Sequence, residues 1–386
     1  MSDRRTALTL YAVNFLNSIG GWFFLPLLPI FLGRRGGSAA LVGVVFAAGL
    51  LAKALVRYPA GWAADRYGTR IVLVVSMVAN AALFLAYLPP LPLTAFIALR
   101  LVHGAAQGAF LPAANGLIAE VTPSGERGRA FGHLQATNMA GALIGPAVGG
   151  FIALLNIGVA FGVAAGLSAV TVVALAALPN LRARADFDKG VALPALALAR
   201  RLAPLMLVGA GTAYMIGVFD TIWSLYLTSR GASTFAVGLS FATFALPAML
   251  LSGYAGAIGD RIGSRRLIVS ALASTGLFSA VYPFISSVPW LVGLGLAEGS
   301  LTISGSPSLM AEVSRLSPPG QSARTQGVYQ TVSTGIEIVG ALAGGALFTA
   351  AGPAYAFLSI TGVCVVSAAG AFVRGTAPRR VAHEST

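Results

Sequence analysis

The chain has 386 residues, 56% of them hydrophobic and only 10% charged, with a mean hydropathy of +0.82. A soluble domain carries about 25% charged residues, so 12 acids and 25 bases cannot clothe a water-facing body of 39.2 kDa. The net charge of +13 comes from single bases scattered among short loops, with no basic run interleaved with aromatics, which argues against a nucleic-acid partner.

A helix that crosses a bilayer takes about 20 apolar residues, and here the apolar stretches run from end to end. They predict an all-α membrane protein with twelve spans, at about 7–33, 40–63, 71–89, 93–118, 130–154, 158–180, 203–229, 235–258, 266–288, 290–312, 325–350 and 354–373. Ser2, Asp3, Arg4 and Arg5 lead into the first stretch without a clear cleavage site, so it reads as a transmembrane helix and not a removable signal. The loops alternate in charge. Nineteen bases gather on one side, against Arg34, Arg35 and Arg230 on the other. The positive-inside rule then places both termini and the 181–202 loop in the cytoplasm of a multi-pass inner or plasma membrane protein. The lone Cys364 sits in an apolar stretch and reads as a small buried residue.

Positions 195 apart repeatedly carry the same residues: Arg35-Gly36 and Arg230-Gly231, Val42-Gly43 and Val237-Gly238, Phe46 and Phe241, Asp65-Arg66 and Asp260-Arg261, Gly149-Gly150 and Gly344-Gly345. One constant offset across the spans predicts two six-helix halves in parallel orientation, 1–180 and 203–386, joined by the 181–202 loop. Residues 192–201 of that loop have the pattern of a short amphipathic helix. Proteins built from such repeats commonly hold a substrate site between them near the midplane.

Three segments carry the recognisable chemistry. Span 2 ends in Gly61, Asp65, Arg66, Gly68 and Arg70, and its repeat mate in Gly256, Asp260, Arg261 and Gly263. Span 4 holds Arg100, His103, Gly104, Gln107 and Gly108. Span 5 holds Gly132, Gly141, Gly145, Pro146, Gly149 and Gly150. Small residues at every fourth position let helices approach closely, while Pro146 removes a backbone hydrogen bond and bends its helix. The duplicated loop resembles the signature loop of the major facilitator superfamily, and the span 5 run resembles the antiporter motif typical of its drug:proton antiporters. Span 4 resembles the family's third motif, with His103 where Gln is more usual.

That resemblance implies the major facilitator fold, with spans 1, 4, 7 and 10 lining a central cavity and spans 2 and 11 facing each other across the halves. Ionisable groups inside spans are costly and so are functional candidates. The first half supplies only cations, Lys53, Arg57 and Arg100, and the second only acids, Asp220, Glu298 and Glu337. On the family's pattern Asp220, Glu298, Arg100 and His103 point into the cavity and, with Glu337, carry proton coupling. Asp220 is the leading protonation site. Lys53 and Glu337 both lie near mid-depth and are expected to pair across the halves. Asn14, Asn17, Trp22, Gln107, Tyr214, Trp223 and Tyr226 complete the expected pocket with Lys53 and Arg57.

The implied activity is secondary active transport by alternating access, read first as proton-coupled efflux of small amphipathic or drug-like molecules. Transport of an organic anion, a sugar or a lipid on the same scaffold is the alternative, followed by a non-transporting receptor. The expected partners are a small-molecule substrate, protons and membrane lipids, around a monomer. No enzymatic activity is expected. There is no Walker A loop, and His103, His133 and His383 lack metal-ligand spacing, so neither cofactor nor metal is expected.

Overall fold

The computed structural model describes residues 3–123, 126–178, 195–262, 264–302 and 322–373, together with 309–310, 312–313 and 315–317. Twelve helices are delimited among them: α1 (Asp3–Arg34), α2 (Ala39–Tyr67), α3 (Thr69–Ala86), α4 (Ala95–Glu120), α5 (Arg127–Ile152), α6 (Ile157–Ala176), α7 (Ala195–Ser229), α8 (Thr234–Ile262), α9 (Ser264–Val281), α10 (Val288–Thr302), α11 (Ser322–Ala351) and α12 (Pro353–Val373). In lipid, each backbone N–H and C=O must be satisfied within its own segment, and a helix does that. The ends are capped locally. The Ser38 hydroxyl accepts from Leu41 N at 3.2 Å to open α2, and the Asn156 side chain accepts from Gly158 N at 2.6 Å to open α6. Gly68 links α2 to α3 with φ +106°, a conformation L side chains rarely adopt.

Among the described residues eight helices, α1, α2, α3, α6, α7, α9, α11 and α12, are long and apolar enough to cross a membrane unaided. Of the others, α4 carries Arg100, His103 and Gln107, and α5 is diluted by glycine. Their polar and small residues are hidden by neighbours, so the bundle makes them membrane-compatible where hydropathy alone does not. The 181–202 connection falls largely outside the described residues. Its last part differs from expectation: residues 195–202 run without a break into α7, which begins at Ala195 and not near 203.

Within the first half α2 packs on α4, α1 on α5 and α3 on α6. The second half repeats this as α8 on α10, α7 on α11 and α9 on α12. Contact between the halves runs chiefly through α2 with α11 and α5 with α8. Four glycines make these crossings. A Cβ at Gly43 would strike the Ala341 carbonyl, and one at Gly345 the Ala39 carbonyl; one at Gly238 would strike the Pro146 carbonyl, and one at Gly150 the Thr234 carbonyl. The second pair of contacts is the first displaced by the 195-residue repeat, since Gly238 and Pro146 answer to Gly43 and Ala341. Backbone meets backbone at both crossings, which only glycine permits. Thr234 Oγ1 donates to Gly150 O at 2.9 Å, and Ala40 N donates to Thr349 Oγ1 at 2.9 Å, adding one hydrogen bond to each seam. All four contacts lie at the end of the bundle away from the start of α1. That end is closed.

Candidate functional site

Between the halves, below the closed end, lies a cavity of about 320 Å3. Its floor plan follows helical phase. On α1 most of the lining, Asn14, Asn17, Ser18, Gly21, Trp22 and Leu25, follows the i, i+3, i+4, i+7 stripe of one helix face. Asn14 is held there by donating to Leu134 O at 2.9 Å and Thr137 Oγ1 at 2.8 Å, and Asn138 donates to Ser18 Oγ at 3.1 Å. On α4 the stripe is Arg100, Gln107 and Leu111.

The cations come from α2 and α4 and the acids from α7 and α11. Lys53, Arg57 and Arg100 line one wall, and Asp220 and Glu337 the other. Tight packing of α2 on α4 places the first set. A Cβ at Gly104 would strike the Gly49 carbonyl, and one at Gly108 would lie 2.7 Å from Lys53 O. A Cβ at Gly49 would lie 2.5 Å from Arg100 Nε, so the guanidinium rests where α2 has no side chain. Arg100 is also stacked on Phe24 and Phe46, 5.2 and 5.6 Å from the ring centroids. Such cation–π contacts stabilise by about 2 kcal/mol or more when desolvated. Asp220 shares the cavity lining with Glu337, Arg100 and Lys53. Lys53 and Glu337 share the cavity but do not close into an ion pair within 4.0 Å.

Five expected cavity residues lie elsewhere. His103 is 0% exposed and sits inside the first half, with Phe24, Phe84 and Tyr87 ring centroids at 5.0, 4.8 and 5.7 Å. At 100° per residue it is about 60° off the Arg100–Gln107 stripe; Gln107 Nε2 approaches its Nε2 at 3.3 Å. Glu298, its mate by the repeat, is 1% exposed inside the second half and accepts from the Tyr282 hydroxyl at 2.5 Å. Tyr282 is in turn the mate of Tyr87, so each half buries one titratable side chain beside one tyrosine. On α7, Tyr214 and Tyr226 lie about 120° to either side of Asp220. Their hydroxyls donate to Ser359 Oγ at 3.0 Å and to Tyr282 O at 2.8 Å. Trp223 Nε1 donates to Ser240 Oγ at 2.9 Å. All five are packing residues of their own half. Asn138, Phe24 and Phe46, which the sequence did not single out, line the cavity as well; Phe24 stands at the edge of the α1 stripe, about 100° from Leu25, so the helical phase alone did not mark it.

The motif residues divide by task. Gly141, Gly145 and Gly149 of α5 face Ser18, Trp22 and Phe23 of α1 within one half, whereas Gly150 and the Pro146 carbonyl meet α8 of the other. Neither Gly145 nor Pro146 lines the cavity. Gly61 lies in α2, its nearest neighbour being Pro112 Cβ, 3.9 Å from where its own Cβ would be. Arg70 donates to Leu178 O at 3.1 Å, tying the start of α3 to the end of α6. The Arg66 guanidinium lies over Trp62 at 5.4 Å. Asp65 is in α2, and Gly256, Asp260 and Arg261 are in α8, but their side chains are outside the described residues, as is Gly263.

The family model for the Major Facilitator Superfamily matches residues 10–216 and 205–386. The Multi-drug resistance efflux pump PmrA homolog of Lactococcus lactis is 28% identical over 349 residues, covering 84% of this chain and 83% of that protein. Multidrug resistance protein MdtG of Serratia proteamaculans is 29% identical over 311 residues, with 74% of each chain covered. Among solved structures, nucleoside transporter NupG superimposes with a TM-score of 0.81 at 16% identity, over 95% of this chain and 98% of its own. A POT family transporter in complex with 5-aminolevulinic acid gives 0.79 at 14% identity, over 96% of each chain. At those identities the two structures speak for the fold alone. With its two matched halves, its cavity between them and its glycine crossings, this integral membrane protein belongs to the Major Facilitator Superfamily of transporters.

Proposed function

We propose that the protein is a proton-coupled exporter of small amphipathic molecules, working as a monomer by alternating access. The carrying observation is the cavity between the halves, cationic on the wall from the first and acidic on the wall from the second. The bias of loop bases supports cytoplasmic termini; in that orientation the glycine-sealed end is the outer one and the cavity is offered to the cytoplasm. The halves 1–180 and 203–386 then rock about the cavity, opening the α2–α11 and α5–α8 seams while the inner end closes. Export is supported by the efflux pumps to which the chain is similar over 84% and 74% of its length.

Coupling follows from charge. With Asp220 ionised, three cations face two acids. A proton or a cationic substrate group on Asp220 satisfies the same carboxylate, so the two exclude each other. A ligand shifts a conformational equilibrium only through its different affinity for the two states. Outward opening with substrate and return with a proton meet that condition. Arg57 and Gln107, with the aromatic faces of Trp22, Phe24 and Phe46, supply polar anchors and an apolar bed for the rest of the molecule. A second reading, export of an organic anion, is favoured by the excess of cations over acids in the lining.

The test is uphill transport in proteoliposomes with an imposed pH gradient, across matched cationic, neutral and anionic aromatic compounds. The wild type should move one charge class against its gradient, and Asp220→Asn should still bind but not transport uphill. Wild-type uphill rates in Asp220→Asn would overturn the assignment.

A further inference from the structure

At the closed end a second cavity, of about 480 Å3, opens between the halves. Its walls come from the end of α1 (Ile30, Arg34), the α5–α6 turn (Leu155, Asn156) and the α7–α8 turn (Thr228, Ser233). This end of the molecule has only three bases, Arg34, Arg35 and Arg230. Two of them have a structural task. Arg35 donates to the carbonyls of Pro89 at 3.1 Å and Leu88 at 3.3 Å while lying 4.2 Å over the Phe31 ring. Arg230, its mate by the repeat, donates to Pro283 O at 3.1 Å while lying 5.2 Å over Tyr226. Each pins the turn that follows the third helix of its half.

Arg34 has no such task. It makes no hydrogen bond or ion pair with the described residues, and it stands exposed on the cavity rim. Its mate by the repeat is Ser229, so the other half builds the same corner without a cation. The wall beside it joins the apolar Ile30, Phe31 and Leu155, the last 82% exposed, to the polar Asn156, Thr228, Ser233 and Thr234. A guanidinium next to apolar side chains in a concave wall complements a molecule with an anionic head and an apolar body. Both halves contribute to the walls, so opening the α2–α11 and α5–α8 seams would pull the site apart.

We propose that this outer cavity binds an amphipathic organic anion, its sulfonate, carboxylate or phosphate head on Arg34 and its apolar body against Ile30 and Leu155. The bound anion holds the sealed state and so inhibits transport from the face away from the termini. The site is separate from the central cavity, and its occupancy can be measured whatever the carrier exports.

The test uses 2-naphthalenesulfonate and its trimethylammonium counterpart on purified full-length protein in phosphatidylcholine nanodiscs, with binding followed by calorimetry. The sulfonate should bind at least about ten-fold more tightly than the cation, converting to about 1.4 kcal/mol. Arg34→Gln should weaken it by a similar factor. Thr228→Trp, which fills the cavity from the other half, should do the same, while Arg57→Gln in the central cavity should not. Unchanged affinity in Arg34→Gln, loss in Arg57→Gln instead, or equal binding of the cation would each overturn the proposal. Adding phosphatidylglycerol identifies the natural source of the anion. Competition with the sulfonate makes it a lipid headgroup, and unchanged sulfonate affinity makes it a soluble molecule.

Discussion

Replacing Gly238 by alanine tests whether the two glycine seams set the conformational balance. The new Cβ would meet the Pro146 carbonyl oxygen, lie 2.8 Å from the Pro146 carbonyl carbon and 3.3 Å from Ala147 Cα. Ordinary contacts begin at 3.4 Å, and the carbonyl oxygen lies nearer than its carbon at 2.8 Å, so α5 and α8 must part by more than about 0.6 Å. The obstacle is backbone, which cannot swing aside as a side chain would. Overpacking of this kind costs about 1–3 kcal/mol. Because the two helices belong to different halves, the cost falls on the sealed state alone and the core of each half is spared. A bias of that size shifts the population toward the outward-open state by about 5–150-fold. The assay is labelling of Asn138→Cys, on the cavity wall, by an impermeant maleimide added from outside; the native Cys364 is 1% exposed and gives little background. Labelling should accelerate within that range, and Gly43→Ala, the mate by the repeat, should act the same way. Gly141→Ala is the control, because its Cβ would strike Ser18 of its own half. It should lower the melting temperature and leave outside labelling unchanged. Wild-type labelling with undiminished transport in Gly238→Ala, or equal acceleration in Gly141→Ala, would refute the reasoning.

Other outcomes follow from single contacts. Tyr282→Phe removes the donor to Glu298 at 2.5 Å and should destabilise the second half by about 1–3 kcal/mol, read as a lower midpoint in thermal inactivation. Arg35→Gln frees the carbonyls of Leu88 and Pro89 and should cost about 1–2 kcal/mol by the same measure, whereas Arg34→Gln should cost nothing; equal losses would contradict the division between the two arginines. Lys53→Gln and Glu337→Gln should each slow transport, and the swap of Lys53→Glu with Glu337→Lys should recover part of it. Strictly additive losses in that cycle would mean that the two charges, unpaired in this sealed state, do not meet in the other state either.

How far the site was legible shows best on α4 and α7. Arg100, Gln107 and Asp220 line the cavity, and the i, i+7 spacing of the first two already implied a common face. His103 and Glu298 looked like equal candidates, because an ionisable residue in an apolar span attracts the same reading wherever it points. Their helical phase, about 60° off the stripe for His103, was available in the sequence. What the sequence lacked was a way to weigh it, since an aromatic enclosure such as Phe24, Phe84 and Tyr87 is assembled from three different helices.

Membrane class, most of the spans, the 195-residue repeat and the family were determined by the sequence, because each is a linear property. Hydropathy over about 20 residues measures the cost of placing a segment in lipid, and a constant offset needs no geometry to be seen. Rotation of each helix about its own axis is a different matter. In a soluble protein the polar face marks the outside, but here lipid and protein interior are both apolar, so hydropathy leaves the rotation free. Packing settles it: Gly49, Gly104 and Gly108 bring α2 onto α4 and turn Lys53 and Arg100 to the cavity. The closed end was likewise decided only in three dimensions. The sequence shows that Gly43 and Gly238, Gly150 and Gly345 recur, but not that each glycine lies on a carbonyl of the opposite half. That depends on two backbones approaching closely enough for a single methyl group to keep them apart.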